Sequence, residues 1–84
     1  MLMYELLYSD QADKQIKKLS KEVKERIFAV LERCRIRPHS LAKKLVGNPY
    51  YSIRSGDYRI IIDIINNELR ILVIEVGHRK NIYD

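Results

Sequence analysis

The sequence is poor in the residues that several kinds of site require. One cysteine, Cys34, among 84 residues excludes an intrachain disulfide and a cysteine-rich metal site. Three glycines stand apart at positions 47, 56 and 77, so no glycine-rich loop for cradling phosphates can form. No run approaches the roughly 20 apolar residues of a membrane-spanning helix. The opening Met1-Leu2-Met3-Tyr4-Glu5-Leu6-Leu7 lacks a basic start and meets an acid at Glu5, unlike a secretory leader. A cytoplasmic protein without a membrane partner is therefore expected. Acidic residues are the minority, 11 against 16 Lys and Arg. They form no carboxylate cluster for a two-metal site, so no metal or other cofactor is expected.

What is present is enough for one core and one domain, residues 1–84, with 46% apolar residues. The net charge of +5 points to a polyanionic partner, either nucleic acid or an acidic protein. A basic surface kept only for solubility is the plainer alternative. The charge is unevenly placed: residues 9–49 hold 11 Lys and Arg against 5 Asp and Glu, whereas residues 50–84 hold five of each.

Periodicity divides the chain at the same place. Residues 3–8 read as a first strand. Ser9 is placed to cap a helix whose first turn carries Asp10 and Asp13. Ala12, Ile16 and Leu19 repeat at helical spacing, with Lys14, Lys17, Lys18 and Lys21 off that stripe. Ser20 offers a second cap, after which Val23, Ile27, Val30, Leu31 and Cys34 mark one buried face. Pro38 should end this helix near Arg37, and residues 40–49 read as an ordered connection. Three strands follow, over 50–55, 58–65 and 68–77, with turns at Gly56-Asp57 and Asn66-Asn67. The expected fold is α+β, in the order β-α-α-β-β-β: a mainly antiparallel sheet, a helical hairpin on one face and a short C-terminal tail.

If both turns are two-residue hairpins, the register follows. Arg54 faces Arg59, Asp63 faces Arg70, and Arg59 faces Ile74. One face then collects Tyr51, Ile53, Tyr58, Ile60, Ile62, Ile64, Leu69, Ile71 and Val73, where the helices should pack. The other collects Tyr50, Ser52, Arg54, Arg59, Ile61, Asp63, Arg70, Leu72, Ile74 and His78. Asp63 and Arg70 form a balanced pair that calls for no functional reading. Arg54 opposite Arg59 is a pairing of like charges. Two side chains splaying into solvent would account for it, and so would an anion site, because the guanidinium fork matches phosphate oxygens. Arg79 and Tyr83 follow His78 in the tail. Together these residues could move a proton, absorb phosphorane-like charge and stack on a base. That set suits metal-free RNA cleavage, in which the 2′-OH of the RNA is the nucleophile. Ile61, Leu72 and Ile74 beside the site suggest a protein that covers it part of the time.

The stretches Tyr51-Ser-Ile-Arg-Ser-Gly-Asp-Tyr-Arg59 and Val76-Gly-His-Arg-Lys-Asn-Ile-Tyr83 resemble those of RelE-type toxins of the RelE/ParE toxin–antitoxin superfamily. The resemblance spans the whole chain in length and element order. It implies a type II toxin that enters the ribosomal A site and cuts messenger RNA without a metal, leaving a 2′,3′-cyclic phosphate. It also implies a RelB-like acidic, helical antitoxin as partner. On the matching positions, Arg59 and Arg79 would stabilise the transition state and assist proton transfer, Tyr83 would stack on or orient the substrate, and His78 would act in catalysis. Arg54 and Lys80 would contact RNA phosphates, and so would Lys14, Lys17, Lys18, Lys21, Lys43 and Lys44. Some relatives carry lysines in the strand before the Tyr-Arg pair, one of them a general base; Tyr50 and Ser52 stand in those places here. His78 is then the first candidate for the base and Lys80 the second. The alternatives are a ParE-type gyrase poison and a catalytically inert binding partner of an antitoxin.

Overall fold

The architecture, described for residues 3–80 in a computed structural model, begins with two serines that start two helices. Strand β1 (Glu5–Tyr8) runs into α1 (Asp10–Lys17), whose cap Ser9 accepts a hydrogen bond from the Ala12 N–H. Ser20 caps α2 (Lys21–Cys34) through the Val23 N–H in the same way. In each case a side-chain oxygen satisfies one of the N–H groups that a helix start leaves without a partner.

Helix α2 closes sooner than the position of Pro38 suggested, ending at Cys34 with Arg35 as its C-cap. Pro38 instead opens a one-turn helix α3 (Pro38–Leu41), where its missing N–H is no loss and its fixed φ is helical. The expected connection over 40–49 contains a two-residue edge strand, β2 (Lys43–Lys44). Strands β3 (Tyr51–Ser55), β4 (Tyr58–Ile65) and β5 (Arg70–His78) complete a five-stranded sheet in the order β1-β5-β4-β3-β2. It is antiparallel throughout except where β1 lies parallel to β5.

The first hairpin has the expected register. Ser55 pairs with Tyr58 and Arg54 with Arg59, across a turn in which Gly56 takes φ +59°, a conformation that glycine adopts without steric penalty. The second hairpin departs from expectation. Asn66–Glu68 wind into a 3-10 turn, and Leu69 closes it at φ 53°, so Leu69 is not a strand residue on the helix-covered face. Ile65 therefore pairs with Arg70, and Asp63 with Leu72 rather than with Arg70. The Arg70 guanidinium meets Glu5 at 3.5 Å and Glu68 at 3.3 Å instead.

Further along β5 the register slips once more. Ile62 pairs with Val73 and Ile61 with Glu75, leaving Ile74 as the extra residue of a β-bulge. Hydrophobic pattern explains the slip. An uninterrupted ladder would turn Glu75 toward the helices, whereas the bulge turns Val76 that way, and Val76 is buried. The core joins Ala12 and Ile16 of α1 and Ile27, Val30, Leu31 and Cys34 of α2 to Ile53, Ile60, Ile62, Ile64, Ile71, Val73 and Val76 of the sheet. Burial pushes the Cys34 thiol up to about 11, which makes it a packing residue rather than a nucleophile.

Candidate active site

Strands β2, β3 and β4 bring cations onto the sheet face opposite the helices. Lys43 is paired with Ser52 on one side of β3, and Arg54 is paired with Arg59 on the other. Directly paired residues share a face, and Ser52 and Arg54 are two apart on β3, so all four side chains project on one side. Between them opens a cleft of about 350 Å³, lined by Lys43, Ser52, Arg54 and Arg59 and by the apolar Leu41, Leu45 and Val46. Ser52 is nearly buried in it.

Arg79 joins this group from beyond the end of β5. Its backbone N–H donates to the Asp57 carbonyl at 2.8 Å, which ties it to the β3–β4 turn. Partial burial, then the charges of Arg79 and Arg54, push the Arg59 guanidinium below its ordinary value. The three arginines thus share one field. An entering phosphate would relieve their mutual repulsion while offering oxygens to each fork. The plainer alternative of two arginines splaying apart into solvent does not fit a guanidinium that is partly desolvated.

His78 is not with them. The bulge at Ile74 reverses the alternation of the strand end, so His78 pairs with Tyr58 and Gly77 with Arg59. The His78 ring packs edge-on against Tyr58 at 5.5 Å, on the helix side of the sheet, and the expectation that it shares the arginine face is corrected. Its Nδ1 accepts the Lys80 backbone N–H at 3.2 Å, leaving Nε2 to carry the proton of the neutral ring. The Lys80 side chain is exposed. Tyr83 lies outside the described residues.

The wider set of basic residues divides in two. Lys14, Lys17, Lys18 and Lys21 are exposed around α1 and the start of α2, where Lys17 meets Asp13 at 3.5 Å. Lys43 and Lys44 belong instead to the cleft, with Lys44 Nζ also 5.2 Å above the Tyr51 ring. Ser52 was expected on this face, but Leu45 and Val46 as apolar walls of a cleft were not. They line the cleft because β2 forms, and a strand of two residues carries no alternation to read. The expected apolar surface is also smaller: Ile61 is 6% exposed, while Leu72 and Ile74 are half-buried.

Among the described residues, no three His, Cys, Asp or Glu side chains are grouped so as to hold a metal ion. No helix among them is long and apolar enough to cross a membrane.

Comparison with known proteins gives the family and the fold. Residues 6–83 match the family described as ParE toxin of type II toxin–antitoxin system, parDE. The chain is 35% identical to Toxin RelE3 of Methanocaldococcus jannaschii, over 94% of either protein. It is 30% identical to the mRNA interferase toxin RelE of Escherichia coli, over 94% of this chain and 86% of that one. Among solved structures it resembles the toxin in the intact E. coli RelBE toxin–antitoxin complex, with a TM-score of 0.78, 31% identity and coverage of 89% of this chain and 95% of that one.

Proposed function

The chain belongs to the RelE/ParE superfamily and is a type II toxin of its RelE family, and on that premise we propose that it is a ribosome-dependent messenger RNA endoribonuclease. The observation that carries the proposal is the convergence of Arg54, Arg59 and Arg79 beside one cleft on the face away from the helices. In this reading the 2′-oxygen of the message attacks the adjacent phosphorus. A P–O bond forms there, the bond to the 5′-oxygen breaks, and the products are a 2′,3′-cyclic phosphate and a 5′-hydroxyl. No metal is required. Negative charge grows on the non-bridging oxygens as the phosphorus becomes five-coordinate, and Arg59 and Arg79 absorb it. Arg54 and Lys43 hold neighbouring phosphates. Lys43 projects on the arginine face and, as its neutral amine, would take the 2′-hydroxyl proton in place of His78, while the departing 5′-oxygen takes up a proton from water. Tyr83 supplies the ring that stacks on a base.

The partner in this reading is an acidic, helical, RelB-like antitoxin. The net charge of +5 and the likeness to a toxin crystallised with its antitoxin support it. One observation favours a second reading. The matching family description is that of ParE toxins, which suggests a gyrase poison. Expression without an antitoxin, followed by mapping of message ends, separates the two. Codon-spaced cuts confined to translated messages are expected. Growth arrest with DNA damage and intact messages would favour the gyrase reading, and no effect at all would leave a binding partner without catalysis.

Docking on the ribosome should rest on the exposed lysines of α1 and the start of α2. Affinity should then fall with salt, with a log–log slope of roughly one per phosphate contact. Replacing both Lys17 and Lys18 with alanine should lower that slope by about two. A slope unchanged in the double variant would show that this face is only solvated surface.

A further inference from the structure

The bulge at Ile74 decides which side of the sheet the end of β5 presents. Before it, Ile71 and Val73 face the helices. After it, Val76 and His78 do, and Gly77 comes opposite Arg59. Arg79, two residues beyond Gly77, continues on the arginine side and is fastened there by its N–H to Asp57. With the ladder continued straight from the Ile62–Val73 pair, His78 would turn to the arginine face and Arg79 away from it.

A bulge leaves ladder groups without strand partners, and here residues 9–15 supply them. Strand β1 stops pairing at Val73, where the Ser9 N–H donates to the Val73 carbonyl at 2.9 Å. The Ser9 hydroxyl then donates to the Ile74 carbonyl at 2.7 Å. The Gln15 carboxamide oxygen, two turns along α1 from the cap, accepts the Val76 N–H at 2.6 Å. Both side-chain bonds are partly buried, so water replaces them poorly.

We infer that Gln15, assisted by Ser9, is a positioning residue for Arg79: by completing the bulge it keeps Arg79 on the face of Arg54 and Arg59. Neither Gln15 nor Ser9 touches the cleft. The effect on cleavage rests on the endoribonuclease reading, but the effect on geometry does not.

Gln15→Met keeps the length of the side chain and removes the acceptor, whereas Gln15→Glu keeps an oxygen in place. Gln15→Met should lower kcat for ribosome-bound message by about 10- to 100-fold, the scale of an ångström-sized misplacement, with KM unchanged. Gln15→Glu should restore most of the rate. In an Arg79→Ala background Gln15→Met should have no further effect, because the residue it positions is gone. An equal loss in both backgrounds, or no loss in either, overturns the inference. Should Gln15→Met fail to fold, Ser9→Asp tests the same point, since it keeps a capping oxygen for α1 but cannot donate to Ile74. Should the unaltered protein not cleave messages at all, the functional reading falls by itself. The positioning role is then judged by the nuclear Overhauser contact between the Tyr58 and His78 rings. Loss of that contact in Gln15→Met with retention in Gln15→Glu sustains it, and retention in both overturns it.

Discussion

Replacing Arg59 or Arg79 with alanine should lower the rate of message cleavage by about 10²–10³-fold each, as for the loss of one preorganised donor aimed at developing charge. The expectation follows from where these side chains lie. Both are gathered on the cleft side of the sheet, and neither belongs to the cluster beneath the helices. Removing either should therefore leave the helix-covered core intact, with loss of activity not traceable to unfolding. Arg54 is a useful contrast. It is exposed at the rim and pairs with Arg59 across the hairpin. Arg54→Ala should thus act more on KM than on kcat, as expected of a phosphate contact made equally before and during the reaction. The measurement is single-turnover cleavage of message on programmed ribosomes, beside a thermal melt of each variant. Wild-type cleavage by Arg59→Ala would remove Arg59 from the chemistry.

The parts of the fold that were legible beforehand are those written in local chemistry. Ser9 and Ser20 are followed by helical repeats of apolar residues, and each caps the helix it precedes. Gly56-Asp57 sits between two runs of β-forming residues, which fixes the Arg54–Arg59 pair. The helix-covered face of β3 and β4 could be read from alternation alone, because Tyr51 and Ile53 on β3 and Tyr58, Ile60, Ile62 and Ile64 on β4 stand two apart and belong to the core or pack against it.

The rest depended on features with no local signature. Asn66-Asn67 resembles a two-residue turn, yet Leu69 takes the left-handed conformation usually left to glycine or asparagine, which moved the register by two. A shift of two keeps the faces, so most of the sheet assignment survived. The bulge at Ile74 moved it by one more and exchanged His78 for Arg79 at the site. That step is legible only in hindsight, from Glu75 and Val76 standing in the wrong order for an unbroken alternation. The β2 strand was invisible because two lysines carry no pattern; without it Lys43 looks like part of a basic surface rather than the wall of a cleft.

The same arginines that serve the chemistry should weaken the fold, and the second large effect expected is a gain in stability when one is removed. Like charges paired across strands cost about 0.2–1 kcal/mol. The field on Arg59 adds Arg79 to Arg54, on top of partial desolvation. Arg54→Met keeps the apolar stem, removes one charge of the pair and leaves Arg59 in place, and it should raise the melting temperature by up to about 4–8 °C, the usual shift per kcal/mol for a domain of this size. A guanidinium stays charged through the whole neutral range, so the effect appears as a dependence on salt and not on pH. Added sodium chloride should raise the melting temperature of the unaltered protein and narrow its gap to Arg54→Met. A short, uncleavable RNA should reverse the ranking, because it binds the folded arginine cluster and stabilises it by RT ln(1 + [L]/Kd), about 2.7 kcal/mol at a hundred times Kd. That stabilisation should be smaller in Arg54→Met. A variant that melts below the unaltered protein at low salt would show that Arg54 contributes more to packing than its charge takes away. Equal stabilisation of both proteins by the RNA would place the anion-binding surface elsewhere, on the lysines of α1.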